Sequence, residues 1–147
     1  YVRRGTLKIE RAGTENIPGI MGFARALELA DKKREKETAR ISKLKNFFIN
    51  RLHEINPEIK VNGAFENSTP HILSISIPKI DSEFFLLQLD AKGIECSTKS
   101  ACLRDEDESY VLKAIGVDSK TSVRFSFGRK TTKRQLKKTL KIIEKIV

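Results

Sequence analysis

At 147 residues and 39% hydrophobic content, the chain can bury one core without disulfides or metal and is too short for two full domains. It contains no run of about 18 apolar residues, which excludes a membrane-spanning helix. The net charge of +10 invites a nucleic-acid reading, but the lysines and arginines concentrate around 32–45 and 129–145, mixed with acids and without interleaved aromatics, so solvated helix faces are the better reading.

Tyr1-Val2-Arg3-Arg4 has no apolar stretch behind it that could serve as a secretion signal. Cys96 and Cys102 then point to a reducing compartment, the cytoplasm or an organellar matrix. Their spacing, with no histidine nearby, argues against zinc and leaves a local disulfide open.

Residues 1–16 read as irregular. Asn16 or Ile17 can cap a helix with Pro18 at its first position, and the helix is predicted to run to about Ile55. Ile20, Ala24 and Leu27, then Ile41, Leu44, Phe48, Leu52 and Ile55, follow the 3.6-residue period. Positions 31–38 between them are almost wholly polar, as expected of a helix that bridges two bodies and is solvated in its middle. Ile20, Phe23, Ala24 and Leu27 would then form an apolar patch prone to self-association.

Pro57 ends the helix, and weak strand character follows from Val61 to Phe65. His71–Ile77 alternates from Leu73 onward and predicts a strand. Asp81 and Ser82 can cap a short helix to Leu89 and Asp90, closed by Gly93. Ile94-Glu95-Cys96 is a brief strand candidate, 97–108 a polar loop, and Ser109–Ile115 a helix stopped by Gly116. Ser122–Phe127 alternates, with Val123, Phe125 and Phe127 on one face and Arg124 and Ser126 on the other. Thr132 and Gln135 form a capping box before a last helix that carries Leu136, Leu140, Ile143 and Val147 on one face.

The fold class expected is α+β: a small, mainly antiparallel sheet covered by helices on one face and preceded by a long interdomain helix. The expected segments are 1–16 as a junction, 17–56 as the linking helix and 57–147 as the small domain.

Three places can carry chemistry. Cys102 lies in a loop of small polar residues, Ser97, Thr98 and Ser100 among them, where a thiol is accessible enough to act as a nucleophile or to be an ordinary surface cysteine. Asp105, Glu106, Asp107 and Glu108 disfavour its thiolate, so activation would come from outside the loop. Arg124, in mid-strand, can bind a carboxylate through two parallel hydrogen bonds, or face solvent or a local acid. Gly13-Thr14 before a helix start suits a phosphate or a plain cap. His53 and His71 lack diagnostic partners and read as structural.

Four segments in order carry a resemblance: Arg11-Ala12-Gly13-Thr14-Glu15-Asn16-Ile17-Pro18-Gly19, Pro70-His71-Ile72-Leu73, Ser97-Thr98-Lys99-Ser100-Ala101-Cys102, and Arg124-Phe125-Ser126-Phe127-Gly128-Arg129 with Thr131-Thr132. Together they resemble the C-terminal, small-domain part of pyridoxal-phosphate-dependent cysteine desulfurases of the iron–sulfur assembly type. Tyr1-Val2-Arg3-Arg4-Gly5 resembles the strand after that family's cofactor lysine. The resemblance implies that Cys102 takes sulfur from L-cysteine as a persulfide and that Arg124 holds the substrate carboxylate. It also implies that Thr14 reaches across a homodimer to the phosphate of the partner's cofactor. A long Cys102 loop would carry sulfur to an iron–sulfur scaffold or another acceptor protein.

The chain departs from the family in four ways. It has no Ser-His-Lys segment for cofactor attachment, and it lacks the histidine and aspartate that flank the cofactor ring. Lys99 replaces a glycine, and Thr6-Leu7-Lys8-Ile9-Glu10 replaces a glycine-rich stretch. The expectation is therefore a domain that is inactive alone and completed by a cofactor-bearing large domain. The alternatives are a non-catalytic sulfur carrier working with a separate cofactor-bearing chain and, ranked last, a basic nucleic-acid binder.

Overall fold

A computed structural model of the chain describes residues 14–64, 68–98 and 109–147. The chain divides into two compact units, with the boundary between Glu35 and Lys36. Helix α1 spans Ile17–Ile55, its first nineteen residues in the first unit and the rest in the second. Among the described residues, no helix is long and apolar enough to cross a membrane.

In the first unit Asn16 resolves the choice of cap. Its Oδ1 accepts from the Gly19 N–H at 3.1 Å, and its carbonyl accepts from Ile20 at 2.9 Å. Pro18 consequently occupies the second helical position, not the first, where its missing N–H still belongs to the unpaired opening turn. Gly19 leaves room for this orientation of Asn16: a Cβ there would meet the Asn16 amide nitrogen at 2.7 Å, and the side chain would have to shift. Ile17, Ile20, Met21, Phe23 and Leu27 are exposed.

In the second unit a three-stranded antiparallel sheet is ordered β1-β2-β3, with β1 at Lys60–Val61, β2 at Ile72–Ser76 and β3 at Ser122–Ser126. Strand β1 is much shorter than the expected 61–65. Only Lys60 and Val61 pair with Ser76 and Ile75, and Gly63 at φ 84° turns the chain away. Residue 65, the far end of that expected strand, lies outside the described residues. Between β2 and β3 the register places Leu73 opposite Phe125 and Ile75 opposite Val123 on one face, and Ser74 opposite Arg124 on the other. The alternation read from 122–127 is therefore the alternation of the folded strand.

Helix α2, Ser82–Asp90, is capped by Asp81, whose side chain accepts from Glu83 and Phe84 N–H groups at 3.0 and 2.9 Å. Helix α3, Tyr110–Ala114, is capped by Ser109. A one-turn 3-10 helix, Ser119–Thr121, precedes β3. Helix α4, Lys133–Ile143, opens with the expected capping box: Gln135 N–H donates to Thr132 Oγ1 and Thr132 N–H donates to Gln135 Oε1. It stops at Ile143, so Val147 is not on its face and is exposed.

The core lies on the apolar face of the sheet. Ile41, Phe48, Ile49 and Leu52 of α1, Phe85 and Leu89 of α2, and Leu136, Leu140 and Ile143 of α4 close over Leu73, Ile75, Val123 and Phe125. Phe48 sits edge-on to Phe125 at 5.3 Å and to Phe127 at 5.9 Å.

Two α1 cations bind distant backbone. Buried Lys45 donates to Ser68 Oγ at 2.7 Å and the Thr69 carbonyl at 3.1 Å, and its burial lowers its pKa. Arg40 donates to the carbonyls of Gly128, Arg129 and Thr131, fixing the turn between β3 and α4. Its guanidinium also binds Glu37 and holds that carboxyl below its usual range. His53 and His71 are exposed and add no packing to the core.

Candidate functional site

Arg124 projects from the polar face of the sheet and is exposed, while its neighbours Val123 and Phe125 are buried. Period-two geometry gives this directly, because the phenylalanines are claimed by the core. Beside it is a cavity of about 290 Å³, lined on the sheet side by Ser74, Ser122 and Arg124 and on the other by Tyr110 and Val111 of α3 and Ile115 just after it.

The expected strand at Ile94–Cys96 does not form. Pairing with β3 is instead confined to one residue further on. Ser97 N–H donates to the Arg124 carbonyl at 3.0 Å, and Arg124 N–H donates to the Ser97 carbonyl at 2.7 Å. Gly93, at φ 70°, turns the chain out of α2, and only at Ser97 does it come alongside β3.

That bridge ties Ser97, five residues before Cys102, to the backbone of Arg124. Ser109, seven residues after Cys102, caps α3, and both Thr98 and Ser109 line the same cavity as Arg124. Cys102 itself lies outside the described residues, but the two anchors of its segment and Arg124 are brought to one place. Thr14, by contrast, is exposed and belongs to the first unit.

The sequence reading missed the polar network beneath this cavity. Asn62 Nδ2 donates to Ser74 Oγ at 3.1 Å and to Ser122 Oγ at 3.3 Å, while its Oδ1 accepts from Ser76 Oγ at 2.9 Å. Ser122 Oγ donates to the Asp118 carbonyl at 2.7 Å. The available signal was Ser74 and Ser76 at alternate positions of β2 and Ser122 two before Arg124 in β3; the join through Asn62 has no local signature. The network holds the outer face of β2 and β3 polar and rigid around Arg124.

This donor set, a guanidinium with hydroxyls, suits an anionic group of carboxylate size. It fits the substrate side of pyridoxal-phosphate chemistry. No attachment lysine of the Ser-His-Lys kind is present in the chain, so the cofactor side is not supplied by these residues.

Cys96 is a free, half-buried thiol. Burial, and then the negative charge of Asp90, push its pKa up to about 11. At pH 8 it is therefore held almost wholly as the unreactive thiol. In a Cys102→Ala chain, iodoacetamide at pH 8 is expected to label Cys96 at roughly a hundredth of the rate of free cysteine or slower. Labelling should accelerate as pH approaches 11. A mass-spectrometric time course reads this, and free-cysteine rates at pH 8 would contradict it.

Residues 5–139 match the family described as Aminotransferase class-V. The chain is 37% identical to a cysteine desulfurase IscS of Dictyoglomus turgidum, with all of this chain aligned to 41% of that protein. It is 38% identical to a cysteine desulfurase IscS of Methanosarcina thermophila, with all of this chain aligned to 40% of that protein. Among solved structures, a NifS-like protein superposes with a TM-score of 0.76 at 30% identity, covering 92% of this chain and 35% of the other. A NifS-like protein from Rickettsia africae gives 0.73 at 27% identity, covering 92% and 36%. The chain thus spans about two fifths of the curated relatives it matches. With the sheet, the flanking helices and nearly the whole sequence in agreement, the chain belongs to the class-V aminotransferase family.

Proposed function

We propose that this chain is the substrate-binding and sulfur-accepting part of a pyridoxal-phosphate-dependent cysteine desulfurase, converting L-cysteine to L-alanine. The observation that carries the reading is the convergence of Arg124 and both anchors of the Cys102 loop on one cavity. Arg124 binds the carboxylate of L-cysteine and orients its side chain toward that loop.

The Cys102 sulfur then attacks the substrate sulfur. An S–S bond forms, the substrate Cβ–S bond breaks, and its electron pair remains with Cβ, which takes a proton. The products are alanine and a Cys102 persulfide, with no external oxidant or reductant. Pyridoxal phosphate, when bound, supplies the electron withdrawal that labilises the substrate bonds.

Thr14 contributes a hydroxyl to the phosphate of a partner subunit's cofactor in a homodimer. The cofactor lysine is carried by the remainder of the protein or by a separate chain. The persulfide passes to an iron–sulfur scaffold or another sulfur acceptor.

The test is sulfide release from L-cysteine by the complete, cofactor-loaded protein with dithiothreitol as reductant. Arg124→Lys keeps the charge but loses the two-point grip. It is expected to raise KM roughly 10- to 100-fold while kcat changes only a few-fold, the loss of about 1.5–3 kcal/mol typical of a charge-assisted pair. An unchanged KM would remove Arg124 from substrate binding.

A further inference from the structure

Across the sheet from Arg124, the second unit carries a groove of about 420 Å³ between the C-terminal part of α1 and α4. Its apolar lining comes from Phe47, Ile55 and Leu140, and its basic wall from Lys133, Lys137 and Lys141. These lysines stand one turn apart on a single helix face, about 6 Å from one to the next, and all three are exposed. Arg51 also lines the groove but is engaged by Glu54. Glu144 is the groove's own acid. Among the described residues, no ion pair joins a carboxylate to Lys133, Lys137 or Lys141.

Cations repeated every four residues destabilise a helix. Helix α4 itself holds five Lys and Arg and no acid, so it carries this repulsion without relief from its own sequence. An anionic partner along the face would remove it. The apolar lining selects among anions. Lys133 Nζ lies 4.5 Å over the Phe47 ring, so the groove's aromatic face is already covered and offers no open platform for stacking a base. What remains is an apolar trough beside a row of cations at helical spacing, the complement of an amphipathic acidic helix.

We propose that the groove between α1 and α4 docks an acidic amphipathic helix of a partner protein. Its carboxylates, one turn apart, meet Lys133, Lys137 and Lys141, and its apolar side lies against Ile55 and the part of Phe47 that Lys133 leaves uncovered. The site is on the opposite side of the sheet from the Arg124 cavity and does not depend on the desulfurase reading.

The probe is a fluorescein-labelled helical peptide of about 16 residues, four turns, with Glu at every fourth position and Leu on the adjoining face. Its anisotropy is titrated with the full 147-residue chain at low salt. It is expected to bind roughly tenfold tighter than a scrambled peptide of equal composition, and to weaken as salt is added.

The triple variant K133E/K137E/K141E should lose roughly tenfold or more in affinity. The neutral set K133Q/K137Q/K141Q should fall between that variant and wild type, and circular dichroism should show both variants folded. The charge-matched control K32E/K33E/K92E should change affinity less than about twofold. Three results would overturn the proposal: no preference for the patterned peptide, an equal loss in the control set, or tighter binding of a single-stranded oligonucleotide of the same charge.

Discussion

Replacing Phe48 with alanine is expected to cost the second unit about 3–5 kcal/mol, the range for truncating a buried aromatic. Phe48 is only 1% exposed and meets both Phe125 and Phe127 edge to face. The truncation leaves a cavity where helix α1 is keyed into strand β3, and it also removes aromatic pairs, each worth about 0.5–1.5 kcal/mol beyond area burial. Total stabilities of about 5–15 kcal/mol are usual, so the loss takes a large share.

Urea unfolding of the 147-residue chain should show a lowered midpoint with an unchanged slope. Phe84→Ala is the control. Phe84 is 55% exposed on α2, and its truncation should move stability by no more than about 0.5 kcal/mol. Equal effects from the two variants would mean that the Phe48–Phe125–Phe127 cluster does not hold the sheet to its helices.

Cys102→Ala in the complete, cofactor-loaded protein is expected to reduce sulfide release from L-cysteine to about a hundredth of wild type or less, because covalent sulfur transfer has no acceptor without the thiol. KM should change little, since the proposed carboxylate grip of Arg124 is left in place. That split separates loss of the acceptor from loss of binding. Persulfide on Cys102 after reaction with L-cysteine, seen as one added sulfur by mass spectrometry, is the positive counterpart. Wild-type turnover by Cys102→Ala would assign the sulfur chemistry elsewhere. Cys96 is a poor substitute, held as a thiol by burial and Asp90.

Interactions closed within a few residues were legible before any fold was known. The capping box of Thr132 and Gln135, the cap of Asp81 on α2 and the alternation of 122–127 are set by backbone geometry at spacings of two to four. The apolar period of 41–55 likewise foretold which side of α1 would be buried. The resemblance assigned Arg124 and Cys102 to one reaction; Arg124 stands on the polar face that the alternation implied, and Cys102 lies outside the described residues.

Interactions closed over long separations were not legible. Arg40 reaches carbonyls some ninety positions away, and Asn62 reaches Ser122 across sixty. The run Ile94–Cys96 had strand composition, yet only Ser97 meets β3, because pairing requires a neighbouring edge in register as well as a suitable side chain. The lysines of α4 looked like a solvated face, but packing of α4 beside α1 makes three of them the wall of a groove. The sequence by itself determined the four helices, strands β2 and β3, and most of their caps and buried faces, since those follow from local hydrogen bonding and periodicity. Only the tertiary structure decided which distant backbones an arginine or asparagine would join, and which surfaces would become cavities, because those depend on segments that meet only after the core has closed.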